Sequence, residues 1–115
     1  MSLHLRLSPD TKDFLSAERL ALMKPTAFLI NTARGAIVNE AALAAALREG
    51  KLAGAGLDVF ETEPLPPDNP FRLLPNVVLT PHCAGVTPEV LEAGLALALA
   101  NVEEWLAGRP RHVVV

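Results

Sequence analysis

The stretch INTARGAIVNEAAL, Ile30 to Leu43, decides how this chain is read. Ala27 to Asn31 is a short apolar run and reads as a buried strand. Arg34 and Gly35 follow almost at once, and a helical pattern then opens. Asn39 suits a helix N-cap, because its side-chain oxygen can accept an N–H of the first turn, and Gly50 suits the left-handed residue past the helix end. The spacing predicts a helix over Glu40 to Glu49. A strand that turns directly into a helix is the unit of a parallel sheet. Arginine is among the residues least often buried without a partner, so the charge at this turn is expected to meet something.

Three further runs repeat the pattern on either side. Leu3 to Leu7 predicts a brief strand that stops at Ser8-Pro9, and Ser16 caps a short helix that ends before Pro25, since the residue preceding proline avoids helical geometry. Ala53 to Phe60 predicts a third strand. A loop carrying Pro64, Pro66, Pro67 and Pro70 leads to a fourth, Val77 to Thr80. Thr87-Pro88-Glu89 supplies an N-cap, a proline at the first helical position and an acid at the positive end of a long helix to Leu106. His112 to Val115 forms either a strand or a docking tail. The fold class is α/β: a parallel sheet of about four strands with flanking helices, in one domain over residues 1–115.

The 115 residues are 50% hydrophobic and 20% charged, enough apolar material for a real core. A net charge of -3, with Lys and Arg scattered, argues against nucleic acid and anionic membrane as partners and for small solutes. Cys83 is the only cysteine, which excludes an intrachain disulfide and suits a reducing compartment. Met1 to Arg6 has no signal-peptide pattern, and the apolar run Gly94 to Val102 is far shorter than the roughly 20 residues of a spanning helix. A cytoplasmic location is the expectation. The helix around Ala93 to Val102 is apolar nearly all round and expects cover on more than one side. The first strand begins with nothing before it to pair with. The chain therefore reads as the second half of a larger fold, and an uncovered strand edge beside an apolar helix predicts a homodimer or larger self-assembly.

Open parallel sheets bind ligands beyond the carboxyl ends of their strands. Arg34, Asp58, Glu63 and His82 all fall there. Arg34 offers a planar fork that matches a carboxylate, or else caps the strand end as a surface arginine. His82 can exchange a proton near neutral pH, and Glu63 is a carboxylate that could orient it and stabilise its charged form. Asp58, between Leu57 and Val59, must find donors if buried. No group of residues has metal-ligand spacing, so no metal is expected. GAGLD, Gly54 to Asp58, lies inside a strand pattern and is no phosphate loop. Cys83 reads as a small buried filler, and Trp105 and the leucines of the last helix as packing residues. His4 and His112 have no nameable partner.

LHLRLSPDT (Leu3 to Thr11), MKPTAFLINTARGAIVNEAAL (Met23 to Leu43), GLDVFETEPLP (Gly56 to Pro66) and NVVLTPHCAGVT (Asn76 to Thr87) together resemble the NAD-binding domain of the D-isomer-specific 2-hydroxyacid dehydrogenases. The resemblance implies the second half of a Rossmann-like domain. It implies an oxidoreductase that moves a hydride between NAD or NADP, with NAD favoured, and a small 2-oxo or 2-hydroxy acid. In that family the arginine holds the substrate acid, here Arg34. The histidine supplies the proton and the glutamate pairs with it, here His82 and Glu63. Asp58, Thr32, Ala33 and Gly85 would lie toward the cofactor together with Arg34 and His82, while Leu5, Arg6 and Thr11 would line its adenosine side. Arg6 departs from the proline usual in the family. The glycine-rich half and the substrate domain are not in this sequence, so the chain is expected to be inactive alone. The formate dehydrogenases of the same superfamily carry glutamine where this chain has Glu63. A stand-alone binding or oligomerisation module derived from the family is the non-enzyme alternative.

Overall fold

Four short strands pair side by side in the computed structural model, which describes residues 1–113. They are β1 (Ser2–Leu3), β2 (Phe28–Asn31), β3 (Gly54–Leu57) and β4 (Val77–Leu79), all parallel and ordered as in the sequence. Helices α1 (Ala17–Ala21), α2 (Glu40–Arg48) and α3 (Pro88–Leu106) intervene or follow, with short 3₁₀ turns at Gly35–Ile37 and Pro70–Leu73. The chain divides into two compact units, Met1–Cys83 and the residues from Ala84 onward. The sheet, α1 and α2 belong to the first.

The helix ends follow their local chemistry. Asn39 caps α2 by accepting the Ala42 N–H at 2.9 Å, Glu40 stands at the positive end and Arg48 at the negative end. Gly50 has φ 67°, the left-handed geometry expected beyond the helix. Leu43, Ala44 and Leu47 of α2 join Leu20 of α1 and Leu29, Ala55 and Leu57 of the sheet in one core. Each large side chain buried there is worth about 2 kcal/mol. Strand β2 alternates, with Leu29 and Asn31 buried and Phe28 and Ile30 exposed. Gly54 and Gly56 of β3 lie beneath those two exposed side chains: Phe28 Cε1 and Ile30 Cδ1 stand 3.0 and 3.1 Å from where a Cβ would be. The glycines of GAGLD are thus packing positions within a strand.

Four expectations need correction. The first strand ends at Leu3, not Leu7, and the reason lies in its neighbour. Leu3 pairs with Asn31, whose side chain then turns β2 out of the sheet by accepting the Ala33 N–H and donating to the Arg34 carbonyl, at 3.1 and 3.0 Å. Residues 4–7 have no strand left to pair with. The third strand likewise stops at Leu57, and Asp58 and Phe60 belong to the loop. Cys83 is exposed rather than buried, because the chain leaving β4 runs over the surface with only its backbone tied down. Trp105 and the leucines of α3 are exposed, since one helix and its short flanks cannot enclose its own apolar faces. Of the segment His112 to Val115, residues 112–113 are irregular and 114–115 lie outside the described residues. No helix among the described residues is long and apolar enough to cross a membrane.

Candidate active site

Because all four strands are parallel, their carboxyl ends, Leu3, Asn31, Leu57 and Leu79, share one edge of the sheet. Arg34 follows β2 at that edge, Asp58 and Glu63 follow β3, and His82 follows β4. The Asn31 side chain shapes the turn that presents Arg34. The guanidinium itself is exposed; its Nη1 donates to the Ala33 carbonyl at 2.6 Å, and no carboxylate pairs with it among the described residues. Leu5, Arg6, Thr32 and Ala33 line an open cleft of about 540 Å³ with Arg34 and His4. Thr11 works behind this cleft: its hydroxyl accepts the Ser8 N–H and donates to the Arg6 carbonyl, at 2.8 and 2.7 Å, fixing the backbone that carries Arg6. His4, without a partner in the sequence reading, bonds to Ser2 through Nε2 at 2.8 Å.

Glu63 and His82 are brought into direct contact. One carboxylate oxygen of Glu63 accepts the Phe60 N–H at 2.9 Å, and the other lies 2.8 Å from His82 Nδ1. The carboxylate is thus held at both oxygens. The hydrogen bond from His82, then that from Phe60, keep the Glu63 carboxyl below the ordinary glutamate range, against a smaller opposing effect of burial. With Nδ1 committed to Glu63, Nε2 has no hydrogen-bond partner among the described residues and is the nitrogen able to pass a proton outward. His82 and Glu63 border a second cleft of about 550 Å³, with Phe60, Leu65, Arg72 and Leu79.

A depressed carboxyl contributes its stabilisation above its unfolded-state pKa and loses it as pH falls through the lower folded value. The Glu63–His82 contact is therefore expected to survive mild acid and to part only below pH 4.5. Carboxyl-carbon NMR of the chain checks this; a Glu63 midpoint at or above 4.5 would show that the contact does not persist in solution.

Asp58 braces the other side of His82. It is 3% exposed, and its Oδ1 accepts the Thr80 hydroxyl at 2.5 Å and the Cys83 N–H at 2.9 Å. Its bonds flank His82 in sequence, so the end of β3 fixes the loop that leaves β4. Arg34 lines a different cleft from His82. Strand β3 lies between their strands, which sets β2 and β4 roughly 10 Å apart. Gly85 belongs to the second unit. Asn31, Thr80 and Glu40, whose Oε1 accepts the Glu61 N–H at 2.6 Å, escaped the sequence reading. Only Asn31 carried a usable signal, as a polar residue closing an apolar strand before a turn.

Residues 1–84 match the model of the D-isomer specific 2-hydroxyacid dehydrogenase, NAD binding domain. A glyoxylate reductase of Thermofilum pendens is 49% identical over 108 residues, which cover 94% of this chain and 32% of that protein. A glycerate dehydrogenase of Methylorubrum extorquens is 45% identical over 99% of this chain and 37% of its own length. The chain thus spans about a third of these curated relatives. Among solved structures, an acyclic imino acid reductase in complex with NADPH and D-Arg superposes with TM-score 0.91 at 40% identity, over 99% of this chain and 36% of that one. The NAD-complexed D-isomer specific 2-hydroxyacid dehydrogenase of Lactobacillus delbrueckii ssp. bulgaricus gives 0.89 at 33% identity, over 99% and 39%. By its sequence match and by the parallel sheet beneath it, the chain belongs to the D-isomer-specific 2-hydroxyacid dehydrogenases.

Proposed function

We propose that this chain provides the acid-binding, proton-donating and cofactor-binding residues of an NAD(P)-dependent dehydrogenase acting between 2-oxo and 2-hydroxy acids. The observation that carries the reading is the Glu63–His82 contact of 2.8 Å at the same sheet edge as an arginine with no carboxylate partner among the described residues. Arg34 binds the substrate carboxylate through its fork. His82 gives a proton from Nε2 to the C2 oxygen as that oxygen gains charge, and Glu63 stabilises the imidazolium before the transfer. Arg34 and His82 follow strands roughly 10 Å apart, and substrate and nicotinamide would lie between them. The cleft beside Arg34 is where the dinucleotide would lie, with Leu5, Arg6, Thr32 and Ala33 as residues that would hold it. When bound, the nicotinamide supplies the hydride.

A chimaera tests this directly: the chain replaces the corresponding segment of a glyoxylate reductase, and reduction of a 2-oxo acid by NADH or NADPH is measured. Turnover supports the reading, and a folded chimaera without turnover counts against it. In an active chimaera, Arg34→Lys is expected to cost about 2 kcal/mol or more in kcat/KM, because an ammonium is a point charge that cannot reproduce two parallel hydrogen bonds. Unaltered kcat/KM in that variant would remove Arg34 from the acid site.

A further inference from the structure

The turn that carries Arg34 and the loop that carries Glu63 press against one another, backbone to backbone. A Cβ on Gly35 would stand 1.9 Å from the Phe60 carbonyl carbon, 2.2 Å from its oxygen and 2.4 Å from the Glu61 nitrogen. Immediately beside this contact, Glu40 at the start of α2 reaches across to the same loop and accepts the Glu61 N–H at 2.6 Å. The neighbouring N–H, that of Phe60, goes to Glu63 Oε1, and Glu63 Oε2 faces His82. An unbroken series of bonds therefore runs from the first turn of α2 to the imidazole. The Asn39 cap fixes its starting point.

We infer that Glu40 is a positioning residue for the Glu63–His82 pair, acting through the Phe60–Glu61 backbone that Gly35 allows to lie against the Arg34 turn. The inference rests on the proposed function for its purpose, but its geometry stands without any substrate. Residue Glu40 has an obvious local explanation, an acid at a helix N-terminus. That explanation needs no contact with Glu61. A carboxylate that served only the helix dipole would not have to cross 21 residues of sequence to take a backbone N–H. The positional consequence is specific: the Phe60–Glu63 loop is held from α2, the element that follows the Arg34 turn, so the acid-binding group and the proton donor are tied to one scaffold.

NMR of the isotope-labelled 115-residue chain at one fixed pH tests this without any assay of turnover. Three signals are followed: exchange of the Glu61 amide, exchange of the Phe60 amide, and the nitrogen shift of His82 Nδ1. In Glu40→Ala the two amides are expected to exchange about tenfold faster, and the Nδ1 signal to move toward its position in Glu63→Gln. Glu40→Gln keeps an acceptor oxygen and should restore all three. Glu40→Asp, which keeps the charge at the helix start but shortens the reach, should behave like the alanine variant and covers the case in which alanine weakens α2. Faster exchange at Glu61 alone, with Phe60 and Nδ1 unmoved, would reduce Glu40 to a local cap and overturn the inference. An Nδ1 signal indifferent to Glu63→Gln would overturn it as well. Failure of acid binding in the chimaera would leave these signals unaffected and would bear only on the proposed function.

Discussion

Gly35→Ala is expected to lower the melting temperature of the chain by roughly 12–24 °C, as a loss of about 3 kcal/mol implies for a unit of this size. The added methyl would meet only backbone atoms, the nearest at 1.9 Å, so no side chain can swing aside to admit it. Either the Arg34 turn or the Phe60–Glu61 loop must move, and each is held by hydrogen bonds, the first from Asn31 and the second to Glu63 and Glu40. Gly94 is the control. It lies within α3 with nothing near its Cβ position, so Gly94→Ala should stabilise that helix by about 1 kcal/mol. Thermal melts followed by circular dichroism compare the two. A fall of only a few degrees in Gly35→Ala would show that the two backbones yield easily.

The largest effect on chemistry is expected at His82. In the active chimaera, His82→Gln should lower kcat by about 10²–10⁴, the usual worth of a positioned general acid. Glutamine can still hydrogen-bond to Glu63, so the loop keeps its anchor while the exchangeable proton is lost. Binding of the 2-oxo acid should change little, since Arg34 lines a separate cleft and makes its own bonds. Steady-state kinetics separate the two quantities. A variant with near-normal kcat would assign the proton to another donor.

What the sequence disclosed and what it hid divide along physical lines. The α2 limits were readable to within a residue because Asn39, Glu40 and Gly50 act on their own neighbours in the chain. The carboxyl-edge placement of Arg34, Glu63 and His82 was readable because parallel strands leave no choice of edge. The length of β1 was not, since it depends on where β2 stops, and β2 stops where a buried asparagine folds back on Arg34. The turn at Pro70–Leu73 could have been found: Asn69 caps it by accepting the Phe71 N–H at 3.0 Å, and Asn-Pro before an aromatic is a local signal. The Glu40–Glu61 bond could not, because nothing near Glu40 in sequence announces a partner beyond the next strand. The exposure of α3 was legible, since its residues are apolar nearly all round and call for cover on more than one side.

His82 has φ 56°, in the left-handed region that costs a residue with a Cβ about 1–2 kcal/mol. Glycine would occupy that position with less strain, and asparagine nearly so. Under the proposed function, the loop after β4 is therefore one in which folding and proton transfer ask for different amino acids. Random mutagenesis selected for heat resistance alone should drift toward glycine at position 82, and selection for turnover should hold histidine there. The imidazole is kept against the preference of its own backbone, and Asp58 and Glu63, on either side of it, supply the hydrogen bonds that make this tolerable.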